Sequence, residues 1–176
     1  MKTTWSVVIL HEDDATRAEA VEFCDRLVQR FWSSHEFDFS WWPFSKLRAG
    51  PDASEAASKA AQADMVVLAT QPAAELPEWL QSWIEGWIRE RGDREGALVA
   101  LGDPGFARVR GLADKFVFLR SAAHHGGMDF LTRMPEEMAR SIPDSLDSYS
   151  ERASQITHVL AEILQRPSPR PARQQF

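Results

Sequence analysis

The sequence predicts a three-layer α/β fold: a doubly wound, five-stranded parallel sheet in the flavodoxin-like order 2-1-3-4-5. Three observations lead there. Short strand-like runs of four to seven residues alternate along the chain with longer segments of helical period, the pattern of successive βα units. The central runs are apolar throughout rather than alternating, as in strands buried on both faces. Right-handed crossovers between five such strands then build one sheet, whose ligands are expected outside the carboxyl ends of strands one and three.

The first strand is Trp5 to His11 (WSVVILH), and it stops at the acidic cluster Glu12, Asp13 and Asp14. From Ala15 the period changes, and Ala20, Phe23, Cys24, Leu27 and Phe31 form one helical stripe, with acids in the first turn where the helix dipole favours them. Phe37 to Trp42 (FDFSWW) is the second strand, ended by Pro43, which has no amide for a ladder. After Gly50 and Pro51 comes an alanine-rich helix, Asp52 to Gln62, with Asp52 as its expected cap. Asp64 to Thr70 (DMVVLAT) is the third strand.

Pro77 opens the next helix at its first position, and the helix runs to about Arg91 before Gly92 closes it. Gly96 to Gly102 (GALVALG) is strand four. The next segment has two readings. Lys115 to Arg120 (KFVFLR) has the composition of a strand, yet Leu112, Phe116, Leu119 and Ala123 keep helical spacing and Gly126-Gly127 suit a helix end, which favours a helix and places strand five at Met128 to Thr132. A last amphipathic helix from about Ser148 to Leu164 buries Ile156, Val159, Leu160, Ile163 and Leu164. Residues 1–164 thus form a single domain, and 165–176, rich in proline and arginine, are expected to be a disordered tail.

Bulk properties exclude several functions. The longest apolar runs, Met65 to Ala69 and Ala97 to Leu101, are five residues, against about 20 for a membrane span and about 7–15 for a signal-peptide core. The single cysteine, Cys24, permits neither an internal disulfide nor a cysteine-based zinc site, so a reducing cytoplasm is the expected location. Net charge is −6; without Arg166, Arg170 and Arg173 the rest stands at −9, which opposes binding to nucleic acid. Cofactor and nucleophile motifs are absent: there is no G-x-G-x-x-G, P-loop, H-E-x-x-H or G-x-S-x-G.

Two stretches carry a family resemblance. VVILHEDDATR resembles the first strand and following acidic run of a bacterial response-regulator receiver domain, and GGMDFLTRMP resembles the glycine, fifth strand and lysine-proline signature of the same family. The resemblance implies Glu12 and Asp13, with Asp14, as Mg²⁺ ligands and Arg133 in place of the family's lysine. It also implies a departure. The phosphoacceptor position in ADMVVLAT holds Ala69, and Gly102 replaces the switch Ser or Thr, so this would be a receiver-like domain that does not run on aspartyl phosphate.

Each candidate group has a structural alternative. Glu12, Asp13 and Asp14 supply the hard oxygens that Mg²⁺ requires, Asp103 in a DPG turn is a possible third acid from another strand, and simple capping of the first helix is the competing role. His124-His125 lie at the ligand edge if KFVFLR is a strand; if it is helical they end that helix at the opposite edge and complement its dipole. His11 ends strand one without an evident partner.

The composition singles out tryptophan, with seven against one tyrosine. Three of them, Trp79, Trp83 and Trp87, form a row beside Leu80, Ile84 and Ile88 on the third helix. The six cover an arc of about 180°, wider than the ~100° stripe a surface helix needs. Either neighbouring segments cover the surplus or it is a protein interface, most economically that of a homodimer. The functional expectation is therefore a non-catalytic signalling or regulatory module resembling a receiver, self-associating through Trp79, Trp83 and Trp87. The alternative is a small divalent-metal-dependent enzyme or ligand-binding protein with its site at the C-terminal edge of the sheet.

Overall fold

The computed structural model describes residues 2–71, 75–101, 110–132 and 163–164, with the side chains of 110–113 outside that description. Five parallel strands are ordered β2-β1-β3-β4-β5: β1 (Thr3–His11), β2 (His35–Pro43), β3 (Met65–Ala69), β4 (Gly96–Leu101) and β5 (Met128–Thr132). Between them run α1 (Asp14–Phe31), α2 (Pro51–Gln62), α3 (Glu78–Glu90) and α4 (Arg110–His125), and a 3₁₀ turn (Phe44–Lys46) follows β2. The expected class and strand order are present.

The period-two geometry of the strands divides the core. Val7 and Ile9 of β1 and Met65, Val67 and Ala69 of β3 face α1, where Ala20, Phe23, Cys24 and Leu27 are buried against them. Val8, Leu10, Val66 and Leu68 face the opposite layer with α2, α3 and α4. Each such aliphatic side chain is worth about 1.5–3 kcal/mol relative to exposure. The alanines of α2 (Ala53, Ala56, Ala60, Ala61) are buried, so this helix lies close to its neighbours as its composition implied. Ile163 and Leu164 are helical and buried in the α1-side layer; the rest of the expected last helix, the tail, Gly102, Asp103 and Arg133 lie outside the described residues.

The ambiguous 115–120 segment is helical. Phe116, Leu119 and Ala123 of α4 are buried, Gly126 donates to the carbonyls of Ala122 and Ala123, and Gly127 at φ +66° turns the chain into β5. Strand five is therefore Met128–Thr132, and His124 and His125 sit at the edge away from the strands' carboxyl ends, where His125 Nδ1–H donates to the carbonyl of Ser121 at 2.7 Å.

Three boundaries are corrected. α2 is capped by Gly50 at φ +92°, with Pro51 first and Asp52 inside the first turn. α3 starts at Glu78, with Pro77 the capping residue whose carbonyl accepts from Leu80 and Gln81. β2 does not stop at Trp42: Pro43 pairs with His11, which an edge strand permits because one side of its ladder is open.

Candidate functional site

The edge formed by the carboxyl ends of β1 and β3 carries a closed set of polar contacts. Asp13 caps α1, its Oδ1 accepting from the Thr16 amide at 2.8 Å while Thr16 Oγ1 accepts from the amides of Asp13 (2.9 Å) and Glu12 (3.1 Å). Such a reciprocal cap satisfies amides at the start of the helix that have no partner within it. Gln71, just past β3, binds both acids: its amide donates to Glu12 Oε2 at 2.7 Å and its side-chain Nε2 to Asp13 Oδ2. The Gln71 bond, followed by that of Thr16, holds the Asp13 carboxyl below the usual range.

Lys115 of α4 completes the set. Only 4% exposed, it donates from Nζ to Thr70 Oγ1 at 2.9 Å and to the Gln71 carbonyl at 3.1 Å. Burial pushes its pKa down and the Glu12 carboxylate partly offsets this. Glu12 and Asp13 both bond to Gln71, which also accepts from the Lys115 ammonium. Asp14 lies in the first turn of α1. Among the described residues no group of three or more His, Cys, Asp or Glu side chains is placed to hold a metal ion. Glu12 Oε2 and both carboxylate oxygens of Asp13 already accept hydrogen bonds from within the protein.

Ala69, the last residue of β3, is fully buried between His11 and Leu101 on the neighbouring strands. It offers a methyl group and no nucleophile. His11 points to the α1 side, 7% exposed, with Nδ1 unbonded and its ring 6.4 Å from that of Trp41, over which Arg17 lies at 5.2 Å. Burial lowers the His11 pKa and Arg17 adds to the effect. Burial also pushes the Cys24 thiol up to about 12, so it is unreactive at neutral pH.

The tryptophans of α3 are largely covered from within. Trp87 is 1% exposed and Trp83 lies against it edge-on at 6.3 Å, donating its indole N–H to the Ala53 carbonyl of α2 at 3.1 Å. Trp79 is partly buried beneath Arg48. The over-wide arc is thus occupied by α2 and the segment after β2; Trp79 and Trp83 keep a partly exposed rim and Trp87 none.

No family model matches the chain, and no curated protein matches it. Among solved structures, S. aureus homoserine dehydrogenase at pH 7.0 is similar at 11% identity with a TM-score of 0.42, covering 74% of this chain. The aligned part is 33% of that enzyme's chain, and a likeness at this level bears on neither the site nor the activity. No described helix is long and apolar enough to cross a membrane.

Sequence reasoning missed Lys115 as a site residue, whereas Thr70 and Gln71 fall in a segment, Thr70 to Ala74, where a site is expected. Thr70 and Gln71 were signalled only by position, immediately after a central strand. Lys115 carried no signal, because its place depended on whether 115–120 was helix or strand. The capping role of Asp13 was legible, since Thr16 stands three residues on.

Proposed function

We propose that the protein is a non-catalytic regulatory module of receiver-like design that operates without aspartyl phosphate, by association with another protein chain, most economically its own copy. One observation carries the reading: at the sheet edge where such a fold does its chemistry, the two acids and the lysine all bond to Gln71, two residues past the buried Ala69 that ends β3. Groups already paired in this way serve better as a lock between β1, β3 and α4 than as reagents.

The test is incubation with acetyl phosphate and Mg²⁺, followed by intact-mass measurement, alongside light scattering of the untreated protein over a wide dilution series. The reading expects no added phosphoryl mass and a concentration-dependent molar mass. Phosphorylation that hydroxylamine removes, as it removes an acyl phosphate, or a monomer at every concentration with no other protein bound, overturns it.

A further inference from the structure

Self-association needs a surface, and β2 supplies one. This strand forms one edge of the sheet, so its outer row of amides and carbonyls has no strand beside it among the described residues. It is nine residues long, about 30 Å, while the opposite edge, β5, has five. Long edges are normally blunted by lysines, bulges or prolines. β2 contains no lysine and pairs one-to-one with β1 from His35 to Pro43 without a bulge; its only proline is the last residue. Its side chains are rich in aromatics: Phe37, Phe39 and Trp41 are partly buried on the α1 face and Trp42 on the α2 face.

The geometry points to antiparallel pairing of β2 with β2 of a second copy, centred on Phe39, which joins two sheets into one of ten strands. This inference rests on the self-association proposed above. Charge narrows the register. Glu36 and Asp38 are exposed on the α2 face, and centring on either Phe37 or Asp38 would set acid against acid. Centring on Phe39 places Glu36 opposite Trp42 of the other copy, over whose ring Lys59 already lies at 5.6 Å. The same register places Asp38 opposite Ser40. The Ser40 oxygen accepts from Trp42 Nε1 at 2.7 Å, which leaves its hydroxyl hydrogen for the facing carboxylate. On the α1 face Phe37 meets Trp41 and Phe39 meets its own counterpart, aromatic pairs that stabilise sheets. Just before the strand, Trp32, 63% exposed, is carried toward the Phe44–Lys46 turn of the partner copy.

The register is tested by charge exchange, read by light scattering with circular dichroism to confirm folding. Wild type is expected at twice the chain mass, and Phe39→Lys, which sets two ammonium groups together at the dyad, at the single-chain mass. Glu36→Lys and Lys59→Glu alter exposed side chains; each alone is expected to weaken dimerisation about tenfold, and the double variant to restore it. A dimer unaffected by Phe39→Lys and by both charge variants, or one broken only by Trp83→Glu, overturns this interface while leaving self-association standing. A wild-type monomer at every concentration overturns both.

Discussion

The ammonium of Lys115 lies 2.9 Å from the hydroxyl of Thr70, tying α4 to the end of β3 at the point where the sheet's strand order reverses. The bond bridges two segments far apart in sequence and is shielded from solvent, so it contributes more than an exposed pair would. Its Nζ also meets the carbonyl of Gln71, the residue that holds Glu12 and Asp13. Fixing one lysine thus fixes the acids indirectly.

Lys115→Met keeps much of the aliphatic stem and deletes the ammonium, leaving the Gln71 carbonyl short of a donor. Urea denaturation is expected to show a loss of about 1–3 kcal/mol. In a double-mutant cycle with Thr70→Val, the two losses are expected to be less than additive by about 1 kcal/mol. Strict additivity would mean that the two side chains do not act as a pair.

His11 makes stability depend on pH in the mildly acidic range. Burial first, and Arg17 second, lower its pKa from the ordinary value of 6.5, while Asp14 and Asp13 partly offset them. The unfolded chain therefore takes up the proton before the folded one, and stability is fully present above 6.5 and falls as pH drops toward the lowered folded value. Asp13 acts in a separate window. Its lowered carboxyl contributes above its ordinary 3.8 and loses that contribution as pH falls through the folded value. Urea midpoints measured from neutral pH to about pH 5 should decline in wild type and stay flatter in His11→Phe. Parallel declines would remove His11 as the cause.

How much of this was legible in the sequence depended on locality. Runs such as MVVLA and GALVAL encode burial on both faces, so the central strands followed from pattern, and their order from the right-handed crossovers of a flavodoxin-like arrangement. The helix stripe from Ala20 to Leu27 was legible for the same reason. Asp13 and Thr16 are three residues apart, and their cap needs no tertiary information. Lys115 and Thr70 are 45 residues apart, and nothing in either neighbourhood names the other. Arg91 is a sharper case: the sequence set it only at the end of a helix, yet its side chain is buried. Its partners are backbone carbonyls, which carry no residue-specific signal.

The tryptophan row yields a graded prediction. Trp87 is fully buried with its indole nitrogen unbonded, so Trp87→Phe sheds an unpaired polar atom as well as volume and is expected to cost less than about 1.5 kcal/mol. Trp87→Ala leaves a cavity and is expected to cost about 3–5 kcal/mol. Trp83→Phe removes the donor to the Ala53 carbonyl, with an expected loss of about 1 kcal/mol. Thermal or urea unfolding of the three variants checks the order, and a Trp87→Ala protein as stable as wild type would mean that this residue is not core.

Arg91 and Gly96 together decide whether α2 docks. The Arg91 side chain, 5% exposed, donates from Nη1 to the carbonyls of Ala60 and Ala63 at 3.0 and 2.8 Å, and from Nη2 to that of Glu95 at 2.9 Å. One guanidinium thereby closes the C-terminal end of α2, where a cation also meets the negative end of the helix dipole. Burial draws its pKa down to about 10, which leaves it charged at neutral pH. A lysine cannot reproduce the planar fork that reaches both sets of carbonyls, and Arg91→Lys is expected to cost about 2–3 kcal/mol. Gly96 is small for the same reason: a Cβ there would stand 2.5 Å from Arg91 Nη2 and 2.9 Å from the Asp64 carbonyl oxygen. The carbonyl is backbone and cannot swing aside, so Gly96→Ala must displace the guanidinium and strain the start of β4. It is expected to destabilise by about 1–3 kcal/mol. Because both changes damage the same contact, the double variant Arg91→Lys/Gly96→Ala should fall short of the sum of the two in urea denaturation. A sum met in full would show that the glycine is needed for the Asp64 carbonyl alone.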